Sequence, residues 1–398
     1  MIESCLEFEG RVIANRLVMQ PMEGCDCNED GSPSELTIEK YINNAKSGAG
    51  IIWFEANAVC REGRTNPRQM QITEENLETY KALVKRVKEV CLEENGFEPI
   101  LYIQLTHSGR QSIVPMIAYI NSVYEERRPV TDENIVTDEY LDTLSSLYVK
   151  SAMLAYRAGF DGVDVKSCHG YLFQELLSAY TREGRYGGSF ENRTRLYLDC
   201  IKAVKESVPA GFHVVTRLGV SDMVAKPNGF GTTESGEIDL TESKMLIAKI
   251  RELGVKMINI TIGNPYYNPH INRPFRVGQY VPPETAETGL QRFIDVESEL
   301  KREFPDVIFV GSGLSYYRND IFEKCEYMLQ NGVCDLVGFG RVSLAYPMIY
   351  RDYVNGCFDP KKCCASCSKC TILMRNKLVS GCAVFNPYYR ELYKTIKN

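Results

Sequence analysis

Cysteine residues crowd into one short segment near the C-terminal end of this sequence. Five of the 15 cysteines lie within residues 363–382 of the 398-residue chain. Thiolates two residues apart can face one metal centre from a tight turn, and three in series with a distant fourth can surround an iron–sulfur cube. The spacing C-x2-C-x2-C-x11-C therefore predicts a [4Fe–4S] cluster, with structural zinc as the alternative. The predicted ligands are Cys364, Cys367, Cys370 and Cys382.

The remaining cysteines bear on the ligand set and on the compartment. Cys363 directly precedes Cys364 and could replace it with C-x3-C spacing, so the choice between these two thiols stays open. Most of the others are scattered singly, which indicates free thiols in a reducing compartment and not a disulfide framework. We therefore expect a cytoplasmic protein, and such a cluster favours an anaerobic or facultative cell.

The charge balance and the hydropathy of the chain exclude several function classes. There are 46 basic and 52 acidic side chains, a formal net charge of −6. Phosphate contacts need basic clusters, so nucleic acid is not the expected partner. The sequence contains no apolar run of about 18 residues, and its N-terminus lacks a basic segment followed by an apolar one. Neither a membrane span nor a secretory signal is therefore predicted, and a homo-oligomer is left open.

Short apolar runs alternate with amphipathic segments along most of the chain. The runs are rich in Val, Ile and Leu and are bounded by Gly, Pro or polar residues, which is typical of strands buried on both faces. Eight such alternations predict an α/β protein with a (β/α)8 TIM barrel. The predicted strands are 17–21, 51–55, 100–105, 162–166, 213–218, 257–260, 307–311 and 336–338. The predicted helices are 35–47, 74–93, 133–158, 190–207, 240–253, 286–303 and 319–330.

A doubly wound parallel sheet is the competing fold. The first predicted strand-to-helix turn, PMEGC, lacks the G-x-G-x-x-G pattern that such sheets use to bind a dinucleotide, and this favours the barrel. The barrel should occupy residues 1–354, and residues 355–398 should form a short cysteine-rich extension. A long connection at 107–132 follows the third predicted strand, where such loops act as lids or substrate walls.

Polar residues collect at the predicted C-terminal ends of the strands, where barrels of this kind carry their active sites. The glycines after strands seven and eight, together with Arg341, occupy the usual phosphate position of these barrels. Arg217, at the end of strand five, could stabilise negative charge on a bound ligand. Gln104 can both donate and accept hydrogen bonds, which suits a pyrimidine edge. Each feature alone is equally typical of a turn or a surface ion pair, and only the ordered set carries the inference.

Several motifs, in order along the chain, resemble those of the old yellow enzyme family of FMN-dependent ene-reductases. They are NRLVMQPM, QLTHSGR, GFDGVDVKSCHGYLFQELLS, RYGGSFENRTRL and DLVGFGR. The cysteine-rich tail resembles the branch that includes 2,4-dienoyl-CoA reductase and trimethylamine dehydrogenase, in which a four-cysteine [4Fe–4S] site follows the barrel. The resemblance covers essentially the whole chain. It implies FMN as a cofactor beside the cluster, held by Pro21, Met22, Ala56, Gln104, Arg217, Gly313, Gly340 and Arg341.

The fourth strand departs from the family pattern. The family presents a His-x-x-His or His-x-x-Asn pair to the substrate carbonyl, whereas here Lys166 takes the first position and His169 the second. Tyr171 matches the family's tyrosine that protonates the substrate α-carbon. Lys166 could bind a carboxylate, an enolate oxygen or a flavin atom, and the alternative is a structural ion pair with Asp164 or Glu55. The resemblance implies Tyr171, His169 and Lys166 as catalytic residues, with a structural role for His169 as the alternative.

The implied reaction is reduction of the C=C bond of an enoate, enoyl-CoA or enone. Flavin N5 delivers hydride to the β-carbon, His169 with Lys166 polarises the carbonyl, and Tyr171 protonates the α-carbon. The dienoyl-CoA reductase branch adds a histidine after strand six, where this chain has Tyr266 and Tyr267. The alternatives are an amine dehydrogenase that passes electrons out through the cluster and a non-catalytic electron carrier with FMN and a cluster.

The electron source is a separate question. Dienoyl-CoA-reductase-like chains continue past the cluster into an FAD- and NAD(P)-binding region, whereas this chain ends at Asn398 and contains no G-x-G-x-x-G. Because clusters carry single electrons, we expect a separate donor: a ferredoxin, a flavodoxin-like protein or an FAD/NAD(P) subunit. Direct hydride transfer from NAD(P)H is the other route.

Overall fold

Eight parallel strands close into a barrel in the computed structural model, which describes residues 1–278 and 280–396. The last strand pairs with the first, so the sheet has no free edge. This confirms the predicted (β/α)8 barrel over the doubly wound sheet. The strands are β1 (Leu17–Met19), β2 (Ile51–Ala58), β3 (Ile100–Thr106), β4 (Gly162–Val165), β5 (His213–Ser221), β6 (Met257–Ile262), β7 (Ile308–Gly311) and β8 (Leu336–Phe339).

A long helix follows each of the first seven strands, close to the predicted bounds. Local caps decide where these helices begin and end. The third was predicted from residue 133, but it begins after Thr137, whose side chain accepts the N–H of Tyr140, and it ends at Gly159 with φ +92°. The helices are α1 (Glu35–Lys46), α2 (Leu77–Asn95), α3 (Asp138–Ala158), α4 (Phe190–Ser207), α5 (Thr241–Glu252), α6 (Ala286–Glu303) and α7 (Ile321–Gln330).

Alternate residues of the strands fill the interior of the barrel. Because side chains alternate across a strand, one set packs outward against the helices and the other set points inward. The inner set is apolar in the lower half of the barrel and includes Val18, Ile51, Trp53, Ile100, Tyr102, Val215, Met257, Val310 and Leu336. An N-terminal hairpin, Leu6–Phe8 with Arg11–Ile13, adds Phe8 and Ile13 to this cluster. The sequence analysis did not predict this hairpin.

The next inward positions, towards the C-terminal ends of the strands, are polar. Gln20, Gln104, Arg217 and Asn259 each lie two residues beyond a member of the inner apolar cluster. Gln20 and Asn259 hydrogen-bond each other, with Nδ2 of Asn259 2.8 Å from Oε1 of Gln20. Burying such groups costs free energy unless they are hydrogen-bonded. This polar layer is therefore the part of the barrel interior suited to bind something other than the protein itself.

The cysteine-rich tail folds back across the loops at the barrel mouth. It contains the helices Lys369–Arg375 and Pro387–Lys394 and a small apolar cluster of Leu373, Val379, Ala383 and Tyr389. Backbone hydrogen bonds join it to the barrel loops, from Ser380 N–H to the Gly24 carbonyl and from Arg276 N–H to the Ser366 carbonyl. Among the helices of the described residues, none is both long and apolar enough to cross a bilayer.

Candidate functional site

A cavity opens at the C-terminal end of the barrel, under the tail. All eleven residues predicted to bind FMN or to act on the substrate line this cavity. The tail contributes Cys370, Thr371, Met374, Arg375 and Ser380 to the lining, so it forms part of the pocket and is not a separate appendage. Among the described residues that line the cavity, none comes from 107–132, the segment predicted as a lid or substrate wall. Arg110 of that segment forms a buried ion pair with Glu175, whose N–O distance is 2.5 Å.

Asp164 orients the two predicted flavin contacts on neighbouring strands. Its Oδ2 accepts from Gln104 Nε2 at 2.6 Å and from Trp53 Nε1 at 3.0 Å, and its Oδ1 accepts the Arg217 N–H at 2.7 Å. Burial raises the pKa of the Asp164 carboxyl to about 6, against the opposing effect of the Gln104 hydrogen bond. Because the amide nitrogen of Gln104 points to Asp164, its carbonyl oxygen remains to accept from a ligand N–H. The sequence analysis had treated Asp164 only as a partner for Lys166.

Three arginines bring unpaired donor atoms to the cavity. Arg217 Nε, Arg273 Nη1 and Arg341 Nη1 are buried and have no hydrogen-bond partner in the described structure. Burial and the nearby Arg341 lower the pKa of the Arg273 guanidinium to about 10. An unpaired buried donor is costly, so each of these atoms is suited to an anionic ligand. Arg273 was missed by the sequence analysis because it lies in a loop after β6 and belongs to none of the recognised motifs.

The loops after β7 and β8 have the backbone shape of a phosphate cradle. Gly313 has φ +86°, a conformation that side chains other than glycine rarely adopt. A Cβ on Gly340 would lie 3.3 Å from Sδ of Met22. The backbone at Gly340 is therefore close to Met22, another residue predicted to bind FMN. Together with Arg341 and Arg273, these loops fit a phosphate dianion, and Arg217 with Gln104 fits the polar edge of an isoalloxazine. The residues present therefore fit FMN.

The three predicted catalytic residues come together beside this donor set. His169 has φ +66°, and its buried Nε2 has no hydrogen-bond partner in the part of the chain described. Burial, with the positive charges of Arg217 and Lys166, holds the pKa of His169 well below its ordinary value, so the ring is neutral. The Lys166 ammonium lies 4.0 Å from the ring centroid of Tyr171. The Tyr171 hydroxyl lies 3.3 Å from that of Tyr266.

Lys166 does not form the ion pair that was the structural alternative. Within the described residues it makes no salt bridge, although it is only 4% exposed. Glu55 is paired with Lys40, and the Asp164 oxygens are taken by Trp53, Gln104 and Arg217. Burial lowers the pKa of Lys166. Its amine lines the cavity with no carboxylate at salt-bridge distance in the described chain, although the charges of Glu23 and Asp164 act on it, and an anion-binding group would be placed in this way.

The tail cysteines form a group of neighbouring thiols. Burial and the nearby Cys364 raise the pKa of the Cys370 thiol, and burial, with hydrogen bonding and nearby Cys364 and Cys370, brings that of Cys382 to about 11. Cys363 points elsewhere, with Sγ 3.7 Å from the carbonyl oxygen of Arg318. This orientation favours Cys364 over Cys363 as the first ligand. In residues 1–278 and 280–396, no three His, Cys, Asp or Glu side chains are placed to hold a single metal ion.

Comparison with known proteins shows the family of the chain. Residues 5–355 match the profile of the NADH:flavin oxidoreductase / NADH oxidase family. The chain belongs to this family, that of the old yellow enzymes. It is a flavin-dependent oxidoreductase with FMN as its cofactor.

Two relatives and one solved structure show the extent of the likeness. An NADH oxidase of Thermoanaerobacter brockii is 27% identical over 371 residues, 90% of this chain and 52% of that protein. The present chain thus spans about half the length of the Thermoanaerobacter brockii oxidase. An NADPH dehydrogenase of Bacillus licheniformis is 32% identical over 348 residues, 85% of this chain and 90% of the dehydrogenase. A 2-naphthoyl-CoA reductase in complex with 2-naphthoyl-CoA has a TM-score of 0.77 at 19% identity, over 98% of this chain and 58% of that chain. This last likeness shows the fold alone.

Proposed function

We propose that this old yellow enzyme relative reduces the C=C bond of an activated alkene, an enoate, enoyl-CoA or enone. The observation that carries the proposal is the unpaired Nε2 of neutral His169, which lines the same cavity as the Tyr171 phenol, and this cavity fits FMN. When bound, FMN supplies hydride chemistry. His169 can donate a hydrogen bond to the substrate carbonyl, and Tyr171 can supply a proton to the α-carbon.

Lys166 points to an anionic or CoA-linked substrate. It is buried, faces the cavity and lacks a carboxylate partner in the described chain. A cation in such a place stabilises a carboxylate, an enolate or an anionic thioester intermediate more than it would in water. The CoA ester bound by the structurally similar 2-naphthoyl-CoA reductase belongs to the same chemical class.

An amine dehydrogenase is the second candidate function, and the positive charge of Lys166 in the cavity argues against it. A site for an alkylammonium substrate would use open aromatic faces. The aromatic side chains among the described lining residues are Tyr171 and Tyr266, and Lys166 already covers the ring of Tyr171. A second cation would be repelled there.

The four tail cysteines would hold a [4Fe–4S] cluster next to the flavin, since Cys370 lines the same cavity. Such a cluster would take single electrons from a ferredoxin, a flavodoxin-like protein or an FAD/NAD(P) subunit. Direct reduction by NAD(P)H is the other route, in keeping with the names of the NADH oxidase and NADPH dehydrogenase relatives.

Anaerobically purified protein should carry one FMN and about four irons with acid-labile sulfide per chain. Zinc without sulfide would remove the cluster and its electron-transfer role.

Stopped-flow reoxidation of photoreduced enzyme tests the activity itself. Enoates, enoyl-CoA esters and neutral enones are mixed with the reduced protein under anaerobic conditions, and the flavin absorbance is followed. Reoxidation with formation of the saturated product supports the proposal. Reduction of the oxidised flavin by amines, with no response to any alkene, would favour the amine dehydrogenase. If neither alkenes nor amines change the flavin absorbance, the remaining hypothesis is a non-catalytic electron carrier.

A further inference from the structure

Glu23 carries a carboxylate that lines the cavity and has no role in the reaction proposed above. It follows Met22 in the loop between β1 and α1 and lines the cavity. Its Oε2 accepts a hydrogen bond from the Tyr171 hydroxyl at 3.2 Å, and its Oε1 accepts one from the Thr65 hydroxyl at 3.2 Å. Within the described part of the chain, Glu23 makes no salt bridge. One of its two hydrogen bonds is therefore with the residue that has to deliver a proton.

A tyrosine in this position cannot give up its proton without help. Burial, the Glu23 charge and Tyr266 raise the pKa of Tyr171 well above its ordinary value. A phenolate left there would stand beside a carboxylate, inside a poorly solvated pocket. Proton donation to the substrate is therefore favourable only if Tyr171 is reprotonated in the same event or directly after it.

We propose that Glu23 reprotonates Tyr171, so that these two residues form the proton path to the substrate α-carbon. This inference rests on the proposed alkene reduction. In the step, the hydride carries two electrons to the β-carbon, and the Oη–H bond of Tyr171 breaks as a C–H bond forms at the α-carbon. Solvent protonates the Glu23 carboxylate past the half-buried Thr65, and the resulting carboxyl gives this proton to Oη. The sum is one hydride and one proton added across C=C.

Several other titratable or charged groups face this path. Lys166 lies over the Tyr171 ring, Tyr266 contacts its hydroxyl, and Cys25 lies on the Glu23 side. Arg128 acts on Tyr266 from the 107–132 segment. Of these groups, Glu23 alone is a carboxylic acid in hydrogen-bond contact with Tyr171, which is why it is assigned the donor role.

The test compares Glu23→Gln with a matched control, Glu62→Gln. Glu62 accepts a hydrogen bond from the Tyr140 hydroxyl at 3.2 Å, the same pairing at the same distance, but it is exposed and does not line the cavity. In single-turnover reoxidation by an alkene, Glu23→Gln should be slower by about 10²-fold, the lower range for a lost proton donor. The solvent deuterium isotope effect should rise. Glu62→Gln should match the wild type.

Two further measurements separate proton transfer from a structural role. Formate should restore much of the rate in Glu23→Ala, because a small acid can occupy the space left by the side chain. FMN affinity, measured by fluorescence, should change less than about twofold.

Each outcome decides the matter. A wild-type rate in Glu23→Gln, with the wild-type isotope effect, overturns the proton path while leaving alkene reduction intact. A slow Glu23→Ala that formate does not rescue assigns Glu23 a structural role and also overturns the path. If the wild-type flavin is not reoxidised by any alkene, the proposed function fails first and the path fails with it.

Discussion

Two groups of buried polar residues lie around the barrel mouth, and they differ in how completely their atoms are paired. In the first group, Lys40 contacts both Asp26, at 3.0 Å, and Glu55. His107 belongs to the same type, because its Nδ1 accepts the Gly109 N–H at 3.1 Å and its Nε2 is 2.9 Å from the Tyr140 hydroxyl. These residues hold loops in place and have no capacity left for a ligand.

The second group contains the same residue types, a lysine and a histidine, but their polar atoms are not paired within the described residues. Lys166 has no carboxylate partner in the described chain, and His169 Nε2 has no hydrogen-bond partner there. Both line the cavity. A buried lysine or histidine is therefore not a sign of function by itself, whereas an unpaired one facing a cavity is. The same kind of substitution should therefore have different effects on stability and activity in the two groups.

The largest effect is expected for Lys40→Met. It leaves two buried carboxylates without their cation, and removal of one partner from a buried ion pair costs about 3–5 kcal/mol. The free energy of unfolding from urea titration should fall by that amount. Lys166→Met, which removes an unpaired buried charge, is the matched control and should lose little stability or gain some. Equal losses for the two variants would contradict the distinction.

Acid should destabilise the protein through His107. Burial lowers the pKa of His107 to about 4, whereas an unfolded chain has a histidine pKa of about 6.5. The unfolded state therefore binds the proton first, and stability is lost as the pH falls from about 6.5 to about 4, by about 3 kcal/mol in full. His107→Gln should lack this component when unfolding is measured at pH 7 and pH 5. Parallel pH curves for the two proteins would show that His107 does not contribute.

His169→Ala should affect the reaction and not the fold. If His169 polarises the carbonyl, reoxidation of the flavin by an enone should slow by about 10²-fold, the scale of losing one donor to a developing oxyanion. FMN binding and the unfolding midpoint should be retained, since the removed Nε2 pairs with nothing in the described residues. A variant with normal kinetics would return His169 to a structural role.

The smallest and most selective effect is expected for Lys166→Met on substrate binding. Losing a charge-assisted hydrogen bond costs about 1.5–3 kcal/mol, so KM for carboxylated or CoA-linked alkenes should rise about tenfold or more. Neutral enones should be nearly unaffected. An equal loss of kcat on every substrate would place Lys166 against the flavin or the shared carbonyl, and the anionic-substrate idea would then be dropped.

Much of the site could be predicted because each residue lies at a strand end in a repeating pattern. Gln104 and Arg217 follow inward-facing apolar residues at a spacing of two, so the strand period alone points them into the barrel. Glu23 and Arg273 have no such marker. They lie in loops, where the direction of a side chain depends on loop conformation and not on any period. The hairpin at residues 6–13 was missed because its short strands are mostly exposed and lack the continuous apolar run of the equally short strand Leu17–Met19.

The sequence by itself determined the barrel, the order of its strands and the cavity residues carried by them, because local hydrophobic periodicity and ordered motifs depend on near neighbours in the chain. Only the tertiary structure decided which buried charges are paired. Lys40 and Lys166 look alike in the sequence, but one meets Asp26 and Glu55 across a loop, and the other meets an aromatic ring and an open cavity. Pairing depends on distances between residues far apart in the chain, and composition and spacing do not contain those distances.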